Sequence, residues 1–158
     1  MTDRAPLELR AADPRDVGVI ADFNQAMAQQ TEGRTLPRAR LEAGVAALLG
    51  DASKGFYVLA HCDGRIVGQA MVTYEWSDWR NAPLWWIQSV YVLDAFRRRG
   101  VYTALHREVH ARALAAGACA LRLYVERDNH TARATYEHLG MSHCKYDMYE
   151  QSLPLSPD

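Results

Sequence analysis

Three consecutive arginines run into a glycine at Arg97-Arg98-Arg99-Gly100. An apolar, strand-like run (Trp85 to Leu93) precedes them, and apolar residues at helical spacing (Val101, Leu105, Val109, Ala113) follow. A glycine turn between a strand and a helix offers a row of backbone N–H groups that have no acceptor inside the helix. The positive end of the helix dipole adds to their field. Such a cradle suits a pyrophosphate, and guanidinium groups pair well with phosphate oxygens. Taken alone, the run also reads as solvated loop charge, with Gly100 serving to bend the chain.

A second chemical cluster is Tyr74-Glu75-Trp76-Ser77-Asp78-Trp79-Arg80-Asn81. Its acids would attract a cationic amine, and its indole faces would hold one by cation–π contact. The alternative is that Trp76, Trp79, Trp85 and Trp86 cover the core or a dimer interface, where Trp is enriched. His106 and His110 stand at ligand spacing on one helix, but no third ligand is suggested, so they read as surface or interface histidines and no metal is expected. Cys62, Cys119 and Cys144 are odd in number and lack a CxxC spacing. Cys62 and Cys119 read as small buried hydrophobes, and a reducing cytoplasm fits them best.

The elements that must position these groups follow from periodicity. Leu7 to Arg10 reads as a first strand. Pro14 suits the first turn of a helix to about Gln30, with Asp13 as N-cap, and Pro37 opens a second helix that ends at Gly50. Phe56 to Cys62 and Arg65 to Tyr74 flank Asp63-Gly64, a two-residue hairpin signal. Trp76 to Pro83 reads as a loop and Leu84 to Leu93 as a strand. A helix (Val101 to Ala116), a strand (Ala120 to Glu126), a helix (His130 to Leu139) and a strand (Lys145 to Glu150) complete the order β-α-α-β-β-β-α-β-α-β. Hairpin strands followed by a strand-helix-strand crossover imply an α/β (α+β) mixed sheet with helices on both faces.

At 158 residues, 49% hydrophobic and 23% charged, the chain is long enough for a substantial core. A formal net charge of −1 supplies no global field toward nucleic acid or an anionic membrane, so neither is expected as a partner. No apolar run approaches the ~20 residues that span a bilayer. Met1 to Pro6 lacks the apolar core of a secretory signal.

The order and motifs resemble the GNAT superfamily of acetyl-CoA-dependent N-acetyltransferases. Arg97, Gly100 and Tyr102 fall on the superfamily's phosphate-binding pattern (Gln or Arg, two residues, Gly, one residue, Gly or Ala), with Tyr102 departing from it. Asn129, Ala132, Tyr136 and Leu139-Gly140-Met141 are similar to a second family stretch at the expected distance. The resemblance implies a single GNAT-like domain over residues 1–152, with a sheet of about six or seven strands, and a flexible tail at 153–158.

The same resemblance implies acetyl-CoA as acyl donor. Backbone groups of Val90, Tyr91 and Val92 would pair with the pantetheine amides, and a backbone N–H near Val92 would serve the oxyanion. Arg97, Arg98, Arg99, Gly100, Val101, Tyr102 and Thr103 would hold the pyrophosphate. Asn129 would fix the pantetheine or the opening of the last helix. Tyr136 falls where the family's phenol protonates or hydrogen-bonds the departing sulfur, or else packs on its own helix face. Many family members carry Glu where this chain has Gln88, which takes up no proton; Glu75, Asp78 and Glu32 are then the remaining acids on the acceptor side, with Glu75 the preferred base and a water chain to solvent the alternative. Glu32, Trp76, Asp78, Trp79 and Gln88 are the candidate acceptor-side residues. The implied reaction is transfer of an acetyl group to a primary amine of a small molecule or peptide; the cysteine usage points to the cytoplasm, and the tryptophans, with dimers the commonest oligomers, to a homodimer. A non-catalytic acyl-CoA-binding module and a nucleic-acid-binding domain are the rivals; the charge balance counts against the second.

Overall fold

The computed structural model describes residues 6–155. The expectations placed on Met1–Ala5 and on residues 156–158 lie outside the described residues. The chain divides into two compact units, Met1–Tyr124 and Val125–Asp158.

The first unit is built on a five-stranded sheet in the order β1-β2-β3-β4-β5. The strands are β1 (Glu8–Ala11), β2 (Phe56–Cys62), β3 (Arg65–Ser77), β4 (Ala82–Val92) and β5 (Ala120–Leu123). All neighbours are antiparallel except β4 and β5, which run parallel and are joined through helix α3 (Val101–Ala115). Helices α1 (Val17–Glu32) and α2 (Arg38–Leu49) connect β1 to β2.

Strand periodicity divides the core. On one face Val58, Ala60, Val67, Val72, Trp85 and Ile87 pack with Val101, Leu105, Val109 and Ala113 of α3. On the other, Tyr57 and Leu59 pack with Ile20 of α1 and with Val45 and Leu48 of α2. Tyr57 and Leu59 alternate with Val58 and Ala60, so β2 is buried on both sides. Each fully buried aliphatic side chain of this kind stabilises the fold by about 1.5–3 kcal/mol.

The local signals read from the sequence form as expected. Asp13 caps the turn Pro14–Asp16 that leads into α1: its side chain accepts from Arg15 N–H at 2.9 Å, while Asp16 accepts from Asp13 N–H at 2.8 Å. Asp16 also takes a bidentate pair from Arg10, both at 2.7 Å, and this guanidinium holds its carboxyl below the ordinary carboxylate value. Asp63 and Gly64 both adopt positive φ, as their hairpin turn requires.

Several expectations are corrected. Trp76 to Pro83 is not a loop: Trp76 pairs with Pro83 and Ser77 with Ala82, leaving a turn of residues 78–81. Ser77 Oγ accepts from Arg80 N–H there, and Asn81 supplies a positive φ. The sheet has five strands rather than six or seven, because Lys145 to Glu150, although alternating in sequence, is exposed and joins no ladder among the described residues. Alternation makes a strand only where a neighbouring edge takes up the backbone groups. His106 is buried, not a surface histidine, whereas Cys119 is exposed. Among the described residues no helix is long and apolar enough to cross a membrane.

The second unit holds α4 (His130–His138), which Asn129 opens by accepting from Ala132 N–H at 3.1 Å. Ala132, Tyr136 and Leu139 are half-buried on one side of it, and Arg127 pairs with Asp147 at 3.5 Å.

Candidate functional site

β4 and β5 pair only from Leu84↔Ala120 to Ile87↔Leu123. Beyond Ile87 the β5-side edge of β4 carries no ladder among the described residues. Leu93 N–H bonds to Val67 O of β3 at 2.9 Å. Peptide groups alternate along a strand, so Val90 and Val92 turn theirs toward the open side. The strand is also distorted here. Gln69 pairs with Tyr91 and Met71 with Gln88, so Ala70 alone stands opposite Ser89 and Val90, and Ser89 has φ +48. This is a bulge, a device that re-aims the residues after it.

The open edge leads into the arginine turn. Arg98 at φ +60 and Gly100 at φ +81 are both left-handed, and a Cβ at Gly100 would meet no atom within 4 Å. The first helical bond there runs from Ala104 N–H to Gly100 O at 3.0 Å. The N–H groups of Val101, Tyr102 and Thr103 therefore lie ahead of the α3 ladder, where the helix dipole favours an anion. Arg98 and Arg99 are exposed beside them. The ring of Tyr102 lies 6.1 Å from that of His106, one turn along α3. An extended edge that offers the Val90 peptide groups and the Val92 N–H and ends at a helix N-terminus fits a ligand whose amide-bearing arm ends in a diphosphate.

Arg97 differs from its neighbours because its groups are engaged within the fold. Its N–H bonds to Asp94 O at 3.2 Å, and its guanidinium reaches Val92 O at 3.1 Å, Gln30 Oε1 at 2.7 Å and Asp94 at 2.9 Å. It also lies over the Tyr91 ring at 5.8 Å. Arg97 therefore braces the junction of strand and turn to the end of α1.

The acceptor-side candidates separate. Register places Thr73 and Glu75 of β3, Trp86 and Gln88 of β4, and Arg122 of β5 on one sheet face. Gln88 donates to Thr73 Oγ1 at 2.6 Å. Glu75 pairs with Arg122 at 2.9 Å, Arg122 lies over the Trp86 ring at 5.8 Å, and Trp86 stacks on Tyr124 at 4.6 Å. Glu75, opposite Leu84, is four strand positions from Gln88. Asp78 and Trp79 sit on the hairpin turn; at ~3.3 Å per residue that is roughly 20 Å along β4 from the open edge. The fold does not bring them to it. Trp76 is 63% exposed and Trp79 93%, whereas Trp85 enters the core. Glu32 ends α1 and pairs with Arg34 at 3.2 Å on the surface.

In the second unit, Asn129 serves as the N-cap described above, and burial raises the Tyr136 phenol above its ordinary pKa. A neutral phenol is the form that can donate a proton.

Sequence reasoning did not single out Gln69, Asn24, Gln30 or Arg122. A buried Gln inside an apolar strand was a legible signal at position 69, since amides are seldom buried without a task. Nothing local marks the others.

The Acetyltransferase (GNAT) family model matches residues 20–141. A crystal structure of a possible acetyltransferase from Clostridium difficile 630 is 43% identical, with a TM-score of 0.86 over 94% of this chain and 98% of that one. Ribosomal-protein-alanine N-acetyltransferase from Brucella melitensis biovar Abortus 2308 shares the fold at 19% identity and a TM-score of 0.76, over 94% of this chain and 100% of that one. So does the aminoglycoside N-acetyltransferase AAC(6')-Iy, solved in complex with CoA, at 16% identity and a TM-score of 0.77, over 96% and 98% of the two chains. No curated protein matches the chain. The match over residues 20–141 covers well over half of the sequence, and the open β4 edge and arginine turn both fall inside it: the chain belongs to the GNAT acetyltransferase family.

Proposed function

We propose that this protein is an N-acetyltransferase that moves an acetyl group from acetyl-CoA to a primary amine of a small molecule or peptide in a ternary complex. The observation that carries this reading is the open edge of β4 beyond Ile87, which runs directly into the left-handed turn at Arg98 and Gly100. Bound there, acetyl-CoA supplies an acyl group activated as a thioester. The peptide groups of Val90 and the N–H of Val92 receive the amide-bearing arm. The N–H groups of Val101, Tyr102 and Thr103, with the side chains of Arg98 and Arg99, hold the diphosphate. Arg97 keeps the turn in register with β4 and α1. Tyr136, protonated at neutral pH, gives its proton to the leaving sulfur.

On the acceptor side, the face bearing Thr73, Glu75, Trp86, Gln88 and Arg122 is charge-balanced, with aromatic surface beside it. Gln88 orients the amine. The amine proton leaves through solvent at this half-exposed face, with Glu75 as the carboxylate on it. Exposed Trp76 and Trp79 serve a homodimer rather than the acceptor.

A second reading, an acyl-CoA-binding module without catalysis, is favoured by Gln88 in the family's acidic position. Calorimetry with CoA and acetyl-CoA, followed by thiol release across a panel of amino acids, polyamines and peptides, separates the two. Binding with amine-dependent thiol release supports the enzyme, and binding without release on any amine supports the module. Failure to bind either form of CoA overturns both.

A further inference from the structure

Gln69 lies in the middle of β3 and is wholly buried. A side-chain amide in that position is costly unless its groups are satisfied, and Leu would fill the same space without that cost. Its Nε2 donates to two acceptors, Ser89 O at 3.0 Å and Asn24 Oδ1 at 2.8 Å. Asn24, on α1, donates in turn to the Tyr57 hydroxyl at 3.3 Å, and Tyr57 on β2 is itself buried. Gln69 Oε1 is buried with no partner among the described residues. The amide cannot reverse, because reversal would set Oε1 against two acceptor oxygens. Its direction is therefore fixed, and both of its hydrogens are spent on the bulge and on α1.

What it holds is the irregular point of β4. Ser89 is a non-glycine residue at φ +48, an arrangement that persists where surrounding structure over-determines it. Its carbonyl would ordinarily bond across the ladder, but the register slip at Ala70 removes that partner. The Gln69 amide replaces it. Val90 to Val92 follow directly, so the direction of the Ser89 carbonyl sets the direction of the peptide groups on the open edge.

We infer that Gln69, held by Asn24 and Tyr57, is a positioning residue that clamps the Ser89 carbonyl and thereby aims the Val90–Val92 backbone at the amide arm of CoA. This rests on the assignment of that edge to CoA, so the test reads the clamp with and without ligand.

Hydrogen exchange is measured on the ligand-free wild type and on Gln69→Leu, Gln69→Glu and Asn24→Ala, together with CoA affinity across pH. In Gln69→Leu, exchange at Tyr91 and Leu93, whose N–H groups face β3, speeds about tenfold or more while the amides of β2 and α3 keep wild-type rates, and CoA binds roughly tenfold more weakly. Asn24→Ala, which keeps Gln69 but frees its far side, shifts both in the same direction by less. Gln69→Glu separates aiming from packing. Its ionised carboxylate is repelled by Ser89 O and Asn24 Oδ1, whereas its protonated form can donate to one of them. CoA affinity of this variant therefore recovers as pH falls to about 5, a recovery that the wild type lacks. Unchanged exchange at Tyr91 and Leu93 in folded Gln69→Leu and Asn24→Ala overturns the inference, as does equal, pH-independent CoA affinity in all four proteins. A wild type that does not bind CoA rejects the cofactor assignment, and the exchange data still decide whether the clamp exists.

Discussion

A carboxylate at position 100 would conflict with the turn in two ways. Gly100 sits at φ +81, where a side chain costs roughly 1–2 kcal/mol. The new charge would also occupy the mouth of a helix N-terminus assigned to phosphate. Because no atom lies within 4 Å of the added Cβ, the fold can accept the substitution. Gly100→Asp is expected to weaken CoA binding by about 100-fold or more while the protein stays folded. Calorimetry on a variant with wild-type circular dichroism checks this, and unchanged affinity would remove the diphosphate from the turn. Tyr136 tests the chemistry instead. Burial raises its phenol pKa, so the proton is retained at neutral pH. Tyr136→Phe deletes one hydrogen bond worth about 0.5–1.5 kcal/mol. Turnover should fall by roughly 3- to 10-fold or more, with CoA affinity inside about one order of magnitude. Steady-state kinetics with an identified amine read both, and wild-type turnover would leave Tyr136 a packing residue.

Gly68 shows how the elements hold the site together. A Cβ there would stand 2.9 Å from Val101 Cγ1, 3.2 Å from Tyr91 O and 3.4 Å from Val92 Cγ2. Those atoms belong to the first residue of α3 and to the open end of β4, so one methyl group would push apart the two halves of the proposed CoA site. Overpacking of this kind costs about 1–3 kcal/mol. Gly68→Ala should lower CoA affinity by roughly tenfold and reduce Tm, and a thermal melt beside a binding isotherm measures both. Wild-type affinity in the variant would mean that α3 can shift without disturbing the turn. What was legible in the sequence at this scale was the local part. Asp13 before Pro14, Asp63-Gly64 between apolar runs, and the Arg97–Gly100 turn each carry their own signal within a few residues. The bulge at Ser89 does not, because an amide twenty positions earlier holds it. The hairpin end at Trp76–Pro83 was obscured by Ser77, Asp78, Arg80 and Asn81, polar residues that suggest a loop over the whole segment until cross-strand pairing is known. Glu75 looked free in the sequence, and only the parallel register of β5 reveals Arg122 beside it.

Across the whole molecule, the helix that carries the turn also carries a buried titratable group. His106 sits on the sheet side of α3 near Tyr102, with Nε2 unpartnered among the described residues, and His110 follows one turn later at 6.4 Å between rings. Burial, reinforced by the charge of His110, holds the His106 pKa below its ordinary value of 6.5. The unfolded chain, with an ordinary histidine, therefore binds this proton at a higher pH than the folded one does. Between the lower folded value and 6.5, stability rises with pH; above 6.5 this group adds no further slope. Asp16 and Asp51 act in a separate window. Their carboxyls lie below the ordinary 3.8, Asp51 at about 2 under the influence of Lys54 and Ser53, so their contributions are lost only under much stronger acid. Melting curves between about pH 8 and pH 5 isolate the histidine. The wild type should lose Tm steadily as pH drops below about 6.5, whereas His106→Leu, which puts an apolar group at this buried position, should lose most of that slope. Parallel slopes in the two proteins would place the proton elsewhere, and the core beneath α3 would then be indifferent to the charge state of its histidine.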